Sequence, residues 1–221
     1  MVVAITGASS GIGRALAVAL AARGARLVLA ARRLPLLEEL DRTLGGGHLC
    51  IRADVATEQD CVYLVQAAKA RFGRLDTLVC NAGVGLLRAV GETSAEDWRS
   101  LFAVNLSGTT DCIRAALPVM RAQEARDGWR GQLMIVSSCL ARRGVPDLGA
   151  YCATKAAQLS LAEAVQAPAI VAEAMVAAII RPRPEVWPHR SARWLFSLAT
   201  LVPGLVDAAM ARFRRRIAPP P

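Results

Sequence analysis

The sequence predicts an α/β fold, a doubly wound parallel sheet in a single domain with a helical tail. Two observations carry this expectation. Short apolar runs alternate with helical patterns as far as about residue 166, the mark of successive βα units. The chain also opens as strand, glycine turn and helix: Val2, Val3, Ala4 and Ile5 lead into Gly7, Gly11 and Gly13, and an alanine-rich helical pattern runs from Arg14 to Arg23. In such a turn Gly7 allows the tight bend, Gly11 lets a pyrophosphate approach the backbone, and Gly13 lets helix and strand pack closely while the helix N-terminus faces the phosphates.

The remaining elements follow in order. Strands are expected at Val2 to Thr6, Arg26 to Ala31, His48 to Ala53, Thr77 to Asn81 and Gln132 to Ser137, because each is a short apolar run bounded by turn residues. Gly24 ends the first helix; a second runs from Leu34 to Leu44 and is closed by Gly45, Gly46 and Gly47; a third covers Thr57 to Phe72. Ser94, with Asp97 three residues on, reads as a capping box opening one long helix to Arg121 with Asn105 and Gly108 near its middle. Residues 126 to 131 are a polar loop, and another helix starts at about Gly149.

Composition bounds the function classes. Apolar residues make up 54% of the 221 and aromatics 5%, so the core must be built from Ala, Val, Leu and Ile. No apolar run reaches the ~18 residues of a membrane-spanning helix, and the N-terminus enters a strand with no leader pattern, so a cytoplasmic protein is expected. Six cysteines lack CxxC or Cys/His ligand spacing, which predicts no metal site and thiols used as small apolar filler. The net charge of +9 is uneven: residues 181 to 221 hold eight arginines against Glu185 and Asp207, or +6. That tail lacks the aromatic interleaving or module of a nucleic-acid binder, so no nucleic-acid partner is expected.

The chemistry concentrates at Tyr151 and Lys155. Four residues apart on a helix, they share one face, and a nearby ammonium favours ionisation of a phenol that otherwise titrates near pH ~10. Lys69 and Lys155 are the two lysines among 27 basic residues. At position 155 a compact point charge stands where this chain otherwise uses arginine.

Thr6 to Gly13 (TGASSGIG), Asn81-Ala82-Gly83, Asn105, Ser138 and Tyr151-xxx-Lys155 occur in this order, and together they resemble the short-chain dehydrogenases/reductases over residues 1 to 166. The resemblance implies hydride transfer between a nicotinamide and a carbonyl or alcohol carbon, with Tyr151 moving the proton. Lys155 would bind the nicotinamide ribose, and Ser138, at the family's separation of thirteen residues before Tyr151, would bind the substrate oxygen, with Ser137 its competitor. Asn105 would hold a water linking Lys155 to solvent. Gly7, Ser9, Ser10, Gly11, Ile12, Gly13, Asp54, Val55, Asn81, Ala82 and Gly83 would line the cofactor. A homo-oligomer is the family default.

The second strand ends Ala30-Ala31-Arg32-Arg33 with no carboxylate. An acidic residue there would accept from the 2′-hydroxyl of NAD, whereas Arg32, helped by Arg33 or Arg14, suits the 2′-phosphate of NADP. NADP is therefore expected over NAD. The pattern then departs from the family. After Gln166 the chain runs directly into an alanine-rich segment, without the sixth strand, Pro-Gly turn and substrate lid that the resemblance implies, which predicts weakened catalysis or a dinucleotide-binding protein acting by association. Residues 167 to 221 read as an amphipathic basic tail: an apolar stretch from Arg193 to Val202, Trp187 nearby and arginines at 212 and 214 to 216 suit a membrane interface or a helix packed on protein.

Overall fold

The computed structural model describes residues 1–126 and 128–165. The chain divides into two units, Met1–Val165 and Gln166–Pro221, and the expectations for the tail and the segment after Gln166 lie outside the described residues.

Five consecutive buried residues make β1 (Val2–Thr6) the centre of the sheet, as expected of a parallel strand covered on both faces. It pairs with β2 (Arg26–Ala31) on one side and β4 (Thr77–Cys80) on the other. Beyond them lie β3 (Leu49–Arg52) and β5 (Gln132–Ile135). The order is β3-β2-β1-β4-β5, all parallel. Crossing from β3 over to β4 makes a topological switch between β1 and β4, and a crevice opens at the carboxyl ends of the strands there. His48, expected within a strand, falls just before its ladder, and Ala53, Asn81, Val136 and Ser137 fall just past theirs. At Asn81 the reason is visible: its amide turns to the Thr6 hydroxyl, at 3.0 Å.

Alternate residues of the strands feed two cores. On one face Val3, Ile5, Leu27, Leu29 and Val79 pack with Leu37 and Leu40 of α2 (Leu34–Thr43) and Ala17 of α1 (Gly11–Ala21). On the other, Ala4, Val28, Ile51 and Leu78 meet Leu64 and Val65 of α3 (Glu58–Phe72) and Ile113 and Val119 of α5 (Gly108–Ala122). Each fully buried leucine contributes about 2 kcal/mol. Helix α3 carries Glu58 and Asp60 in its first turn, Lys69 and Arg71 in its last, and ends on Gly73 at φ +77°, so its charges oppose the helix dipole and a left-handed glycine closes it.

The capping box at Ser94 forms: the Asp97 amide donates to Ser94 Oγ (3.1 Å) and the Ser94 amide to Asp97 Oδ2 (3.0 Å). The long helix it was expected to open is instead interrupted. Helix α4 (Ala95–Phe102) gives way to a π-helical turn at Ala103–Ser107 before α5 begins. Gly108 follows the turn because α5 lies directly on the segment after β3; a Cβ there would stand 2.6 Å from Val55 O and 2.8 Å from Val55 Cβ. Backbone cannot yield as a side chain can, so Gly108→Ala should lower stability by about 1–3 kcal/mol, read as a reduced urea midpoint with the slope unchanged. A native midpoint would show that α5 can lift off Val55 without cost.

Candidate active site

The crevice is built from the glycine turn outward. Gly7 and Gly11 have φ of +67° and +55°, a region side chains rarely enter. Close approach adds a second demand: a Cβ on Gly7 would meet Ala82 Cα at 2.9 Å, and one on Gly13 would meet both Asn81 Nδ2 and Gly7 O at 2.6 Å. Thr6 clamps the two strand ends together, its hydroxyl accepting from the amides of Asn81 and Ala82, each at 3.0 Å. Asn81 Nδ2 donates back to Thr6 O (2.9 Å). Ser10 precedes α1 without capping it by its side chain, and the first turn of α1 holds no acidic residue. The helix therefore presents its amides and its positive end to the crevice.

A cleft of about 450 Å³ runs across the strand ends. It brings together Gly7, Ser9, Ser10, Gly11 and Ile12 after β1, Arg32 and Arg33 after β2, Asp54 and Val55 after β3, and Asn81, Ala82 and Gly83 after β4. Gly13 is buried behind it, against Asn81. Arg33 Nη2 donates to the hydroxyls of Ser9 and Ser10, both at 3.0 Å, which holds a guanidinium over the glycine turn. Asp54 accepts from the Ala56 amide (3.1 Å).

A second cavity of about 370 Å³ shares Ile12, Asn81, Gly83 and Val84 with the cleft and ends on Tyr151 and Lys155. Both side chains come from α6 (Gly149–Ala164), Tyr151 in its first turn. The ring of Tyr151 is half-buried, while Lys155 is only 4% exposed. Lys155 Nζ lies 5.7 Å from the centre of the Tyr151 ring. It donates to Val136 O (2.9 Å) and Gln158 Oε1 (2.8 Å). Burial disfavours its charged form and pulls its pKa down from 10.5 to about 8.

Gln158, fully buried, also donates from Nε2 to Asn105 O (2.6 Å) and Thr109 Oγ1 (2.9 Å). Asn105, equally buried, sits in the π turn; its side chain accepts from the Val84 amide (2.8 Å) and donates to Val84 O (2.9 Å) and Thr154 Oγ1 (3.0 Å). It thus ties the segment after β4 to α6.

The sequence pattern of the short chain dehydrogenases matches residues 1–180. The chain belongs to that family. An uncharacterized oxidoreductase of Listeria monocytogenes is 35% identical over 168 residues, 75% of this chain and 66% of the relative. An 11-beta-hydroxysteroid dehydrogenase A of Sesamum indicum is 41% identical over 163 residues, covering 71% of this chain and 44% of its own. Among solved structures, an alcohol dehydrogenase of the archaeon Thermococcus sibiricus, complexed with 5-hydroxy-NADP, superposes with a TM-score of 0.68 at 33% identity over 75% of this chain and 69% of its own. The chain thus matches just under two thirds of the Listeria relative's length and less than half of the sesame relative's.

Two features of the site add to what the family resemblance implies. Between the Asn105 carbonyl and the Lys155 ammonium lies the Gln158 amide, which bonds to both. Of the two serines after β5, Ser137 lines the cavity, although its hydroxyl is committed to Lys155 O (2.9 Å). Ser138 Oγ accepts from the Leu140 amide (3.1 Å), opening the short 3-10 turn Cys139–Arg142, and its own proton reaches only Cys139 Sγ at 3.9 Å. Sequence reasoning also passed over Thr6, Thr109, Thr154 and Gln158. For Gln158 a signal existed, since it stands three residues after Lys155 and seven after Tyr151, on their helical face.

Proposed function

We propose that the protein is an NADP-dependent oxidoreductase that moves a hydride between nicotinamide and the carbon of a carbonyl or alcohol on a lipophilic substrate. The observation that carries this reading is the buried Lys155 ammonium beside Tyr151, at the end of a cavity whose other wall is shared with the cleft over the glycine turn. The glycine cradle fits such a cofactor: the left-handed turn leaves backbone amides open where phosphate would lie. When bound, the dinucleotide supplies or accepts the hydride at its nicotinamide ring.

The chain's own residues do the rest. Tyr151 gives its phenolic proton to the substrate oxygen in reduction and takes one in oxidation. Lys155 has two of its ammonium protons engaged by Val136 O and Gln158 Oε1, leaving a third for a ribose hydroxyl. Ser138, whose hydroxyl proton has no strong acceptor among the described residues, donates to the oxygen as charge develops there. Ser137 is held back by its bond to Lys155 O. Ile12, Val84, Val136 and Leu148 give the cavity apolar walls, which favours a hydrophobic substrate.

Arg33, fixed by Ser9 and Ser10 at the end of β2, supports NADP over NAD, because a guanidinium fork matches a phosphate. Charge-assisted hydrogen bonds contribute about 1.5–3 kcal/mol, so Arg33→Ala should weaken NADPH binding about ten- to a hundredfold and leave NADH binding unchanged, followed by nicotinamide fluorescence. Equal losses for both cofactors would remove the 2′-phosphate from the argument. A panel of ketones and aldehydes with NADPH tests the reaction itself; binding without any turnover would leave a dinucleotide-binding protein and overturn the enzymatic reading.

A further inference from the structure

Gln158 is a neutral, fully buried side chain whose hydrogen-bonding capacity is closely accounted for, and no part of the proposed reaction uses it. Its orientation follows from its neighbours. The ammonium of Lys155 can only donate, so it must face Oε1; the Asn105 carbonyl can only accept, so it must face Nε2. The second Nε2 proton goes to Thr109 Oγ1, whose own proton goes to Asn105 O at 2.8 Å. The Asn105 carbonyl lies within the π-helical turn at Ala103–Ser107, where it accepts from both Gln158 Nε2 and Thr109 Oγ1.

We propose that Gln158 is a positioning residue that holds the Lys155 ammonium beside Tyr151 by bridging it to the π turn at Asn105. The inference rests on the oxidoreductase reading for its purpose but not for its test. An amide at neutral pH neither gains nor loses a proton, so this bridge transmits position and not protons. Two anchors, Val136 O and Gln158 Oε1, fix Nζ. Tyr151 is the ionisable group beside the ammonium, and burial is the cause acting on the titration of Lys155; the neighbours supplied by the π turn and α5, Asn105 and Thr109, are neutral.

The chain offers a direct readout, because its two lysines are exposed Lys69 and buried Lys155. Full-length protein labelled with 13C at lysine Cε gives two resonances, assigned by Lys69→Arg, and their pH titration follows Lys155 without any substrate. In Gln158→Glu a carboxylate replaces the amide against the ammonium, and the Lys155 midpoint should rise by about one pH unit or more. In Gln158→Leu a desolvated ammonium loses an acceptor, and the midpoint should fall by about half a unit. Thr109→Val, which removes an acceptor from Nε2 and leaves Gln158 in place, should give a smaller fall and serves if a Gln158 variant does not fold. Native midpoints in the folded variants would overturn the proposal and leave Gln158 as packing. Failure to find a carbonyl substrate would bear on the reaction alone, since the resonances report the bridge in either case.

Discussion

Tyr151→Phe should abolish turnover of every carbonyl the protein reduces, by about 10²–10⁴-fold, while NADPH affinity stays within about twofold of the native value, since no bond to the phosphates or to Arg33 is touched. The substitution removes one oxygen and keeps the ring. The ring's own contacts persist: Lys155 Nζ at 5.7 Å from its centre, and a position 3.9 Å from where a Cβ on Gly85 would stand. The α6 backbone is also unchanged, because the Thr154 hydroxyl donates to the Tyr151 carbonyl at 2.8 Å and not to the phenol. A defect confined to kcat, with fluorescence titrations superimposable on the native protein, is therefore the expected pattern. Turnover surviving at native rate would take the proton-transfer role away from Tyr151.

Parts of this arrangement are legible in sequence where the requirement is carried by residue type itself. The glycine turn is the clearest case: a left-handed φ at Gly7 and Gly11, and a 2.6 Å approach of Gly13 to Asn81 and Gly7, exclude other side chains, so glycine spacing reports the geometry directly. The sheet is legible for a similar reason, since β1, β2 and β4 are buried on both faces and read as unbroken apolar runs. Features that depend on what a side chain meets across the fold were not legible. Asn105 and Gly108 within a helical pattern lower its propensity only slightly, and the interruption there follows from Val84 and Val55, which are distant in sequence. For Gln158 the spacing shows only that it shares a helical face with Tyr151 and Lys155; that it is buried against Lys155, Asn105 and Thr109 and links them comes from the fold. Ser137 and Ser138 are identical in type, so only the turn after β5 separates the one bonded to Lys155 O from the one opening the 3-10 turn.

Loss of the Lys155 proton should switch the site off from the alkaline side. With a pKa drawn down to about 8 by burial, the ammonium gives up its charge well before an exposed lysine does, and kcat/KM should fall with a midpoint near that pH as the charge beside Tyr151 disappears. Lys155→Met should lose about 10²-fold or more in turnover at neutral pH and show no such limb. Stability should move in the opposite direction. The folded pKa lies below the unfolded one, so between about 8 and 10.5 the unfolded chain binds more protons at this residue than the native one, and stability rises with pH through that window. The penalty for burying the charge is fully present below pH 8 and gone above 10.5; the gap corresponds to about 3 kcal/mol. Urea denaturation at pH 7.5 and pH 10 on native protein and on Lys155→Met isolates it, because every other alkaline group is common to both. The native protein should gain relative to the variant on going to pH 10, under the very conditions that remove its activity. An equal response in both proteins would mean that the ammonium at 155 is hydrated, and then neither its low pKa nor its hold on Tyr151 could stand.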